Sequence, residues 1–168
     1  GNGISLNQKE AARYFKMAAD LGDYEAMFNY GRMLSHGEGI EVNKKEAAKY
    51  YKKSADSGND NAMVNYAIML DDGDGIEVNK KEAAKYYKKA ADLGFNDAMY
   101  YYGKMLFIGD GIPQNQKEGA KYIKKSAELG NADAMYKYAK MLDMGEGVKI
   151  NEKEAALYYK KCVDKGNI

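Results

Sequence analysis

Few side chains in this sequence have the type and spacing for covalent chemistry. His36 is the only histidine among 168 residues, and its sequence neighbour Ser35 points along a different direction of a helix. A general base with no oriented nucleophile is not a catalytic site. Cys162 is the only cysteine, so the chain can form neither an internal disulfide framework nor a thiolate metal cage. It falls where other stretches carry Ala18, Ser54, Ala90 and Ser126, and it reads as a small core residue. Asp71, Asp72 and Asp74 flank Gly73 and Gly75, which invites a Ca²⁺ reading. The Asp/Asn ladder closed by Glu that such a loop requires is missing, so the segment reads as a solvated turn. No catalytic residue, cofactor or metal ligand is therefore assigned, and the chain is read as not an enzyme.

The other candidate chemistry is recognition, and it needs elements to position it. Leu, Ile, Val and Phe are scarce, and 22 Ala, 16 Tyr and 10 Met replace them. A core of small residues with Tyr and Met implies helices in close approach. The sequence has a period of 36 residues. Glu10, Glu46, Glu82, Glu118 and Glu154 mark it, as do Tyr14, Tyr50, Tyr86, Tyr122 and Tyr158. So do Gly22, Gly58, Gly94, Gly130 and Gly166, and residues 40–53 recur letter for letter as 76–89.

Each unit reads as two helices. The second starts at Asn7, Asn43, Asn79, Asn115 or Asn151, with Glu three residues on. Asn caps a free backbone N–H, and the Glu is expected to reach back to the cap's own N–H. Gly58 and its equivalents end that helix in the left-handed conformation. The first helix carries Met27, Tyr30, Gly31 and Leu34 at helical spacing and ends at Gly37, Gly73, Gly109 or Gly145. The apolar Ile40, Ile76, Ile112 and Val148 are expected to tuck the connection back onto the core. The count is nine helices: a lone second-type helix from about Asn7, then four pairs. The repeated Tyr, including all five at the Tyr14 position, read as core with the hydroxyl at a partner or the rim. The expected fold is all-α, a right-handed α-solenoid forming a single domain over residues 1–168. Its units are 1–22 (second helix only), 23–58, 59–94, 95–130 and 131–168.

Positions that break the repeat on the first helix are the candidate site. At 100° per residue, positions 25, 28, 32, 35 and 36 form one stripe. Across the four units it presents Phe28, Val64, Tyr100 and Tyr136, then Arg32, Ile68, Lys104 and Lys140. Towards the helix end come Phe107, then His36, Ile108 and Met144. Aromatic, Met and Arg side chains are those enriched at protein interfaces. The apolar groups are expected to anchor a peptide's side chains and the cations to pair with its carboxylates. Position 28 has an equally good structural reading, as packing within the stack.

Charge excludes other partners. The 26 basic and 25 acidic residues leave a net charge of +1. The lysines of the second helices, such as Lys49, Lys52, Lys85 and Lys88, are interleaved with Glu46, Asp56, Glu82 and Asp92. That pattern is a solvated face with i,i+4 pairs, and no nucleic-acid stripe. No apolar run approaches a membrane span, and a cytoplasmic setting is the expectation.

Ala98, Tyr102, Gly103, Met105, Leu106, Gly109 and Gly111, with Ala83, Ala84, Tyr86, Tyr87, Lys88, Ala90, Ala91 and Gly94, make a pattern that resembles the Sel1-like repeat family. These repeats are similar to tetratricopeptide repeats with a slightly longer unit. The resemblance implies a scaffold or adaptor whose first helices line a concave surface and bind a protein or peptide. The alternative it implies is a regulatory or targeting domain of a larger enzyme chain. Head-to-tail self-association is a further expectation, because the chain begins and ends with the same helix type.

Overall fold

A computed structural model describes residues 2–164, with side chains from residue 7 onward. Among the described residues there are nine helices and no strand. The first-type helices are α2 (Tyr24–His36), α4 (Asp60–Asp72), α6 (Asn96–Ile108) and α8 (Ala132–Met144). The second-type helices are α1 (Asn2–Asp20), α3 (Lys44–Asp56), α5 (Lys80–Asp92), α7 (Gln116–Glu128) and α9 (Glu152–Asp164). The chain divides into two compact units, Gly1–Tyr86 and Tyr87–Ile168.

Capping explains why each helix starts where it does. Asn43 accepts the Glu46 N–H at 3.0 Å, and Asn79, Asn115 and Asn151 repeat this at 3.0–3.1 Å. The expected partner of the Glu is different, however. The Glu46 carboxylate accepts from the Asn43 side-chain amide at 3.2 Å. The backbone N–H of Asn43 instead donates to the Leu34 carbonyl at 2.8 Å, as Asn79, Asn115 and Asn151 do to Leu70, Leu106 and Leu142. Those carbonyls sit in the last turn of a first-type helix, where no intrahelical donor is left for them. One bond thus satisfies two orphan groups and fixes the loop between the helices.

First-type helices have caps of their own, which the sequence reading passed over. Asp23, Asn59 and Asn131 accept the N–H three residues on, at 2.9, 2.8 and 2.7 Å. Phe95 occupies the same position without a side-chain cap. Second-type helices end in a paired-bond turn: Asn59 N–H to Ser54 O and Gly58 N–H to Ala55 O, both 3.1 Å, with Gly58 at φ +102°. Gly166, expected to play the same part, lies outside the described residues.

α1 departs from the expected start. It begins at Asn2 and runs through Asn7. In later units the cap's N–H bonds to the preceding first-type helix, and residues 1–168 hold no such helix before Asn7. Helical i→i−4 bonding satisfies the backbone of that stretch instead.

The core lies between each first-type helix and its second-type neighbours. In the first unit Ala47, Tyr51, Ala62, Ala67, Met69 and Leu70 are buried. In the second unit Ala134, Ile123, Met141 and Cys162 are buried, with Val148 packed against them as its loop position requires. The small-residue positions set how closely helices meet. A Cβ on Gly103 would sit 2.9 Å from the Gly119 carbonyl, so α6 and α7 touch backbone to backbone.

Candidate protein-binding surface

The first unit holds part of the expected stripe, and much of it is already engaged. The Phe28 ring lies 5.9 Å from Tyr51 and is half-buried on α3. Arg32 Nη1 is 2.7 Å from Glu38 Oε1 in the following loop, so this cation is paired within the chain. His36 is exposed, its Nδ1 2.9 Å from the Arg32 carbonyl. Val64 and Ile68 on α4 are half-buried. Tyr51, beside Phe28, has its hydroxyl pushed up to about 12 by burial, an effect that Arg32 partly opposes.

The second unit presents the more open part. Ile108, Met144 and Tyr136 are 61%, 60% and 46% exposed. Lys104 Nζ stands 5.3 Å from the Tyr100 ring centre and 5.9 Å from that of Tyr101. Lys140 Nζ stands 5.9 Å from the Tyr136 ring centre. Among the described residues neither Lys104 nor Lys140 has a carboxylate within ion-pair distance. Tyr136 in turn meets Tyr159 edge-on at 5.9 Å, and the Tyr159 hydroxyl donates to Asp143 at 2.9 Å. Burial and that carboxylate push the Tyr159 hydroxyl up to about 12.

Phe107 is a correction. It is only 7% exposed and belongs to the core cluster, not to the surface. The glycine pair Gly103 and Gly119 draws α6 onto α7, and a Cβ on Gly119 would lie 3.0 Å from the Phe107 Cα. The ring is then roofed by Lys137 Nζ at 4.8 Å. Two contributors were passed over in the sequence. Tyr101, stacked 5.1 Å from Tyr87, breaks the repeat between Tyr100 and Tyr102 and carried a readable signal. Tyr159 carried none, because its repeat position is a core one in the other units.

The second-type helices carry a different ladder. Lys16, Lys52 and Lys88 bridge to Asp20, Asp56 and Asp92 four residues on, at 2.8, 2.9 and 2.6 Å. The Tyr86 hydroxyl donates to Asp56 at 2.6 Å, and Tyr50 and Tyr122 reach Asp20 and Asp92 at 3.4 and 3.5 Å. Each of these carboxylates therefore faces an ammonium and a phenol. This pairing is what a solvated face looks like when its charges are matched. One member of the expected set differs: Tyr14 is 62% exposed and stands outside the core, because residues 1–168 place no first-type helix against it.

The remaining candidates for chemistry are engaged in structure. Asp71 Oδ1 is 2.6 Å from Lys80 Nζ, and Asp74 pairs with Lys44 at 2.8 Å. No group of three metal-ligating side chains occurs among the described residues. Cys162 is buried, its Sγ 3.8 Å from the Ala132 carbonyl, and burial raises its thiol above the usual range. Ser54 and Ser126 use the same position to bond the Tyr24 and Asn96 carbonyls at 2.6 Å. No described helix is long and apolar enough to cross a membrane.

Among the described residues, nine helices in a 36-residue rhythm define a helical repeat protein. The chain belongs to the Sel1 repeat family, whose model matches residues 1–23, 25–59, 60–95, 96–131 and 132–167. Repeats of this family generally mediate protein–protein interaction. No curated protein matches the sequence. Among solved structures, the chain is similar to c5321, a protective antigen of uropathogenic Escherichia coli with an SLR fold: 26% identity, TM-score 0.88, 95% of this chain and 34% of that one. It is similar to a Sel1 repeat protein from Oxalobacter formigenes, with 28% identity, TM-score 0.87, 95% of this chain and 65% of that one. Cysteine-rich protein B of Helicobacter pylori shares the fold at 24% identity and TM-score 0.61, over 80% of this chain and 97% of that one. The fold is thus a Sel1-like repeat α-solenoid, and the chain spans a third to two thirds of the first two relatives.

Proposed function

We propose that the chain is a non-enzymatic scaffold that binds a peptide segment of a partner protein through the stripe on its first-type helices, α6 and α8 above all. The observation that carries this reading is the pairing of open apolar groups with uncommitted cations. Ile108, Tyr136 and Met144 offer open contact area, Tyr100 is half-buried against the core, and Lys104 and Lys140 lie over tyrosine rings with no carboxylate partner among the described residues. Such a surface fits a segment that alternates aromatic or aliphatic side chains with Asp or Glu. A lysine held at a ring face is ordered before binding, which lowers the entropy cost of its ion pair. The stripe of the first unit is the weaker candidate, because Arg32 already holds Glu38.

The test is selection of peptides from a random display library on the intact chain. Binding is then compared with Lys104→Glu/Ile108→Ala/Met144→Ala, all at exposed positions. Enriched acidic–apolar peptides should lose at least about tenfold in affinity, or about 1.4 kcal/mol, while the melting temperature stays put. Peptides that bind the triple variant equally well would move the site away from α6 and α8.

A further inference from the structure

On α6 and α8 the exposed line changes character in the same order along both helices. Asp97, Lys104 and Ile108 are exposed and fall within about 40° of one another at 100° per residue. Asp133, Lys140 and Met144 are their counterparts 36 residues on. The two helices run side by side in one direction. Asn131, the cap of α8, donates to Asp97 in the first turn of α6 at 2.7 Å, and a Cβ on Gly147, just past α8, would lie 3.3 Å from the Phe107 ring near the end of α6. The face therefore has an acidic row, a cationic row seven residues along, and an apolar row four residues beyond that. The first unit lacks this order: the same positions there hold Glu25 and Asn61, Arg32 and Ile68, His36 and Asp72.

The charges of this face are not spent in ion pairs within the chain. Asp97 and Asp133 have no ammonium or guanidinium group within ion-pair distance among the described residues, and Lys104 and Lys140 have no carboxylate there. An acid in a first turn complements its own helix dipole. That role calls for neither a cation nor an apolar group further along the same line. The face does not suit a second copy of itself either. Antiparallel pairing of two such faces sets acids against Ile108 and Met144, and parallel pairing sets acid against acid.

We propose that this face takes an amphipathic helix of a partner protein, lying antiparallel to α6 and α8, whose contact seam reads apolar, acidic four residues on, and basic seven residues after that. The apolar residue meets Ile108 and Met144, the acid lies between Lys104 and Lys140, and the base lies between Asp97 and Asp133. The inference rests on the reading that the α6–α8 stripe is the binding surface, and adds the form, charge order and direction of what binds. Spacing selects the form. From the acidic to the cationic row is about 10 Å, and from there to the apolar row about 6 Å. A partner helix has the same rise, so its own steps of seven and four residues match both gaps on one face. An extended strand covers them in about three and two residues, and alternation turns its base away from its acid. Dipoles select the direction. Antiparallel docking opposes the dipoles of α6 and α8, and places the partner's base towards its own C-terminus and the acid towards its N-terminus.

The probe is a synthetic Ala/Gln helix of about 18 residues, with Leu, Glu and Arg in that order at the stated spacings and each doubled at the next position so that both helices are met. A short helix is costly to order alone, so a covalent staple on its outer face holds it. A second peptide of identical composition has Glu and Arg exchanged. Each is titrated into the isotope-labelled intact chain and followed by amide chemical shifts. The first peptide should give saturable shifts along α6 and α8. The exchanged peptide should bind at least about tenfold more weakly at low salt, and added salt should narrow the gap. Asp97→Ser/Asp133→Ser, at two exposed positions, should narrow it as well. An unstapled version of the first peptide broken by a central Pro should not bind. Equal binding by the two charge orders, equal binding by the broken peptide, or shifts centred elsewhere overturns the proposal. So does absence of shifts, and the display-selected acidic–apolar peptides then separate the two readings. If they still shift α6 and α8, the stripe stands and the antiparallel helix falls; if they do not, both fall.

Discussion

Asn59 is 4% exposed, and its side-chain oxygen accepts the Ala62 N–H at 2.8 Å. Asn59→Ala leaves that donor buried and unpaired, so equilibrium urea unfolding should register a loss of about 1–2 kcal/mol. Tyrosines give the chain an alkaline limit. Tyr51 and Tyr86 have hydroxyls raised to about 12 in the folded state, chiefly by burial. A phenol whose pKa rises on folding contributes its stability in full below pH 10 and loses it as pH climbs towards 12. Melting temperature should therefore hold to about pH 10 and fall steeply beyond it. Tyr51→Phe should shift the onset of that fall upward.

Helices in this protein are placed by loops as much as by faces. Gly75 has φ +77°, and a Cβ there would lie 2.6 Å from the Lys44 Cβ and 2.7 Å from its carbonyl carbon. Gly75→Ala thus meets both backbone strain and the start of α3, and should cost more than about 1 kcal/mol. The helix contact at Gly103 predicts a contrast within one position. Gly103→Ala pushes into the Gly119 carbonyl at 2.9 Å, whereas Gly31→Ala pushes against the edge of the Tyr51 ring at 3.0 Å. Overpacking against backbone is the harder to relieve, so Gly103→Ala should lose about 1–3 kcal/mol and Gly31→Ala clearly less. Denaturant midpoints of the two variants, measured side by side, check the order.

At the scale of the whole molecule, charge and display decide what the protein can meet. With 26 basic and 25 acidic residues in the sequence, and Lys52 and Lys88 answered by Asp56 and Asp92, no strong field remains to gather polyanions. Fluorescence titration with duplex DNA at low salt should give no saturable binding; a response that weakened steeply with added salt would contradict this. In the proposed function, recognition rests instead on the few positions where the four units differ.

The 36-residue period, the Asn…Glu starts and the Gly stops made the helix pairs and their family legible from residues alone, because caps and glycine turns act over three to six neighbours. The stripe on α6 and α8 was legible for the same reason: 100° per residue places Tyr100, Lys104 and Ile108 on one side of a helix whatever surrounds it. Which of those side chains stay available depends on neighbours far along the chain. Phe107 went inside because Gly103 and Gly119 let two helices touch, and Arg32 was taken by Glu38 in the next loop. Tyr14 shares its letter and register with four other tyrosines, yet stands open because burial belongs to the pair of helices and not to the residue. Local periodicity thus determined what each helix offers, and tertiary packing decided which offers reach the surface.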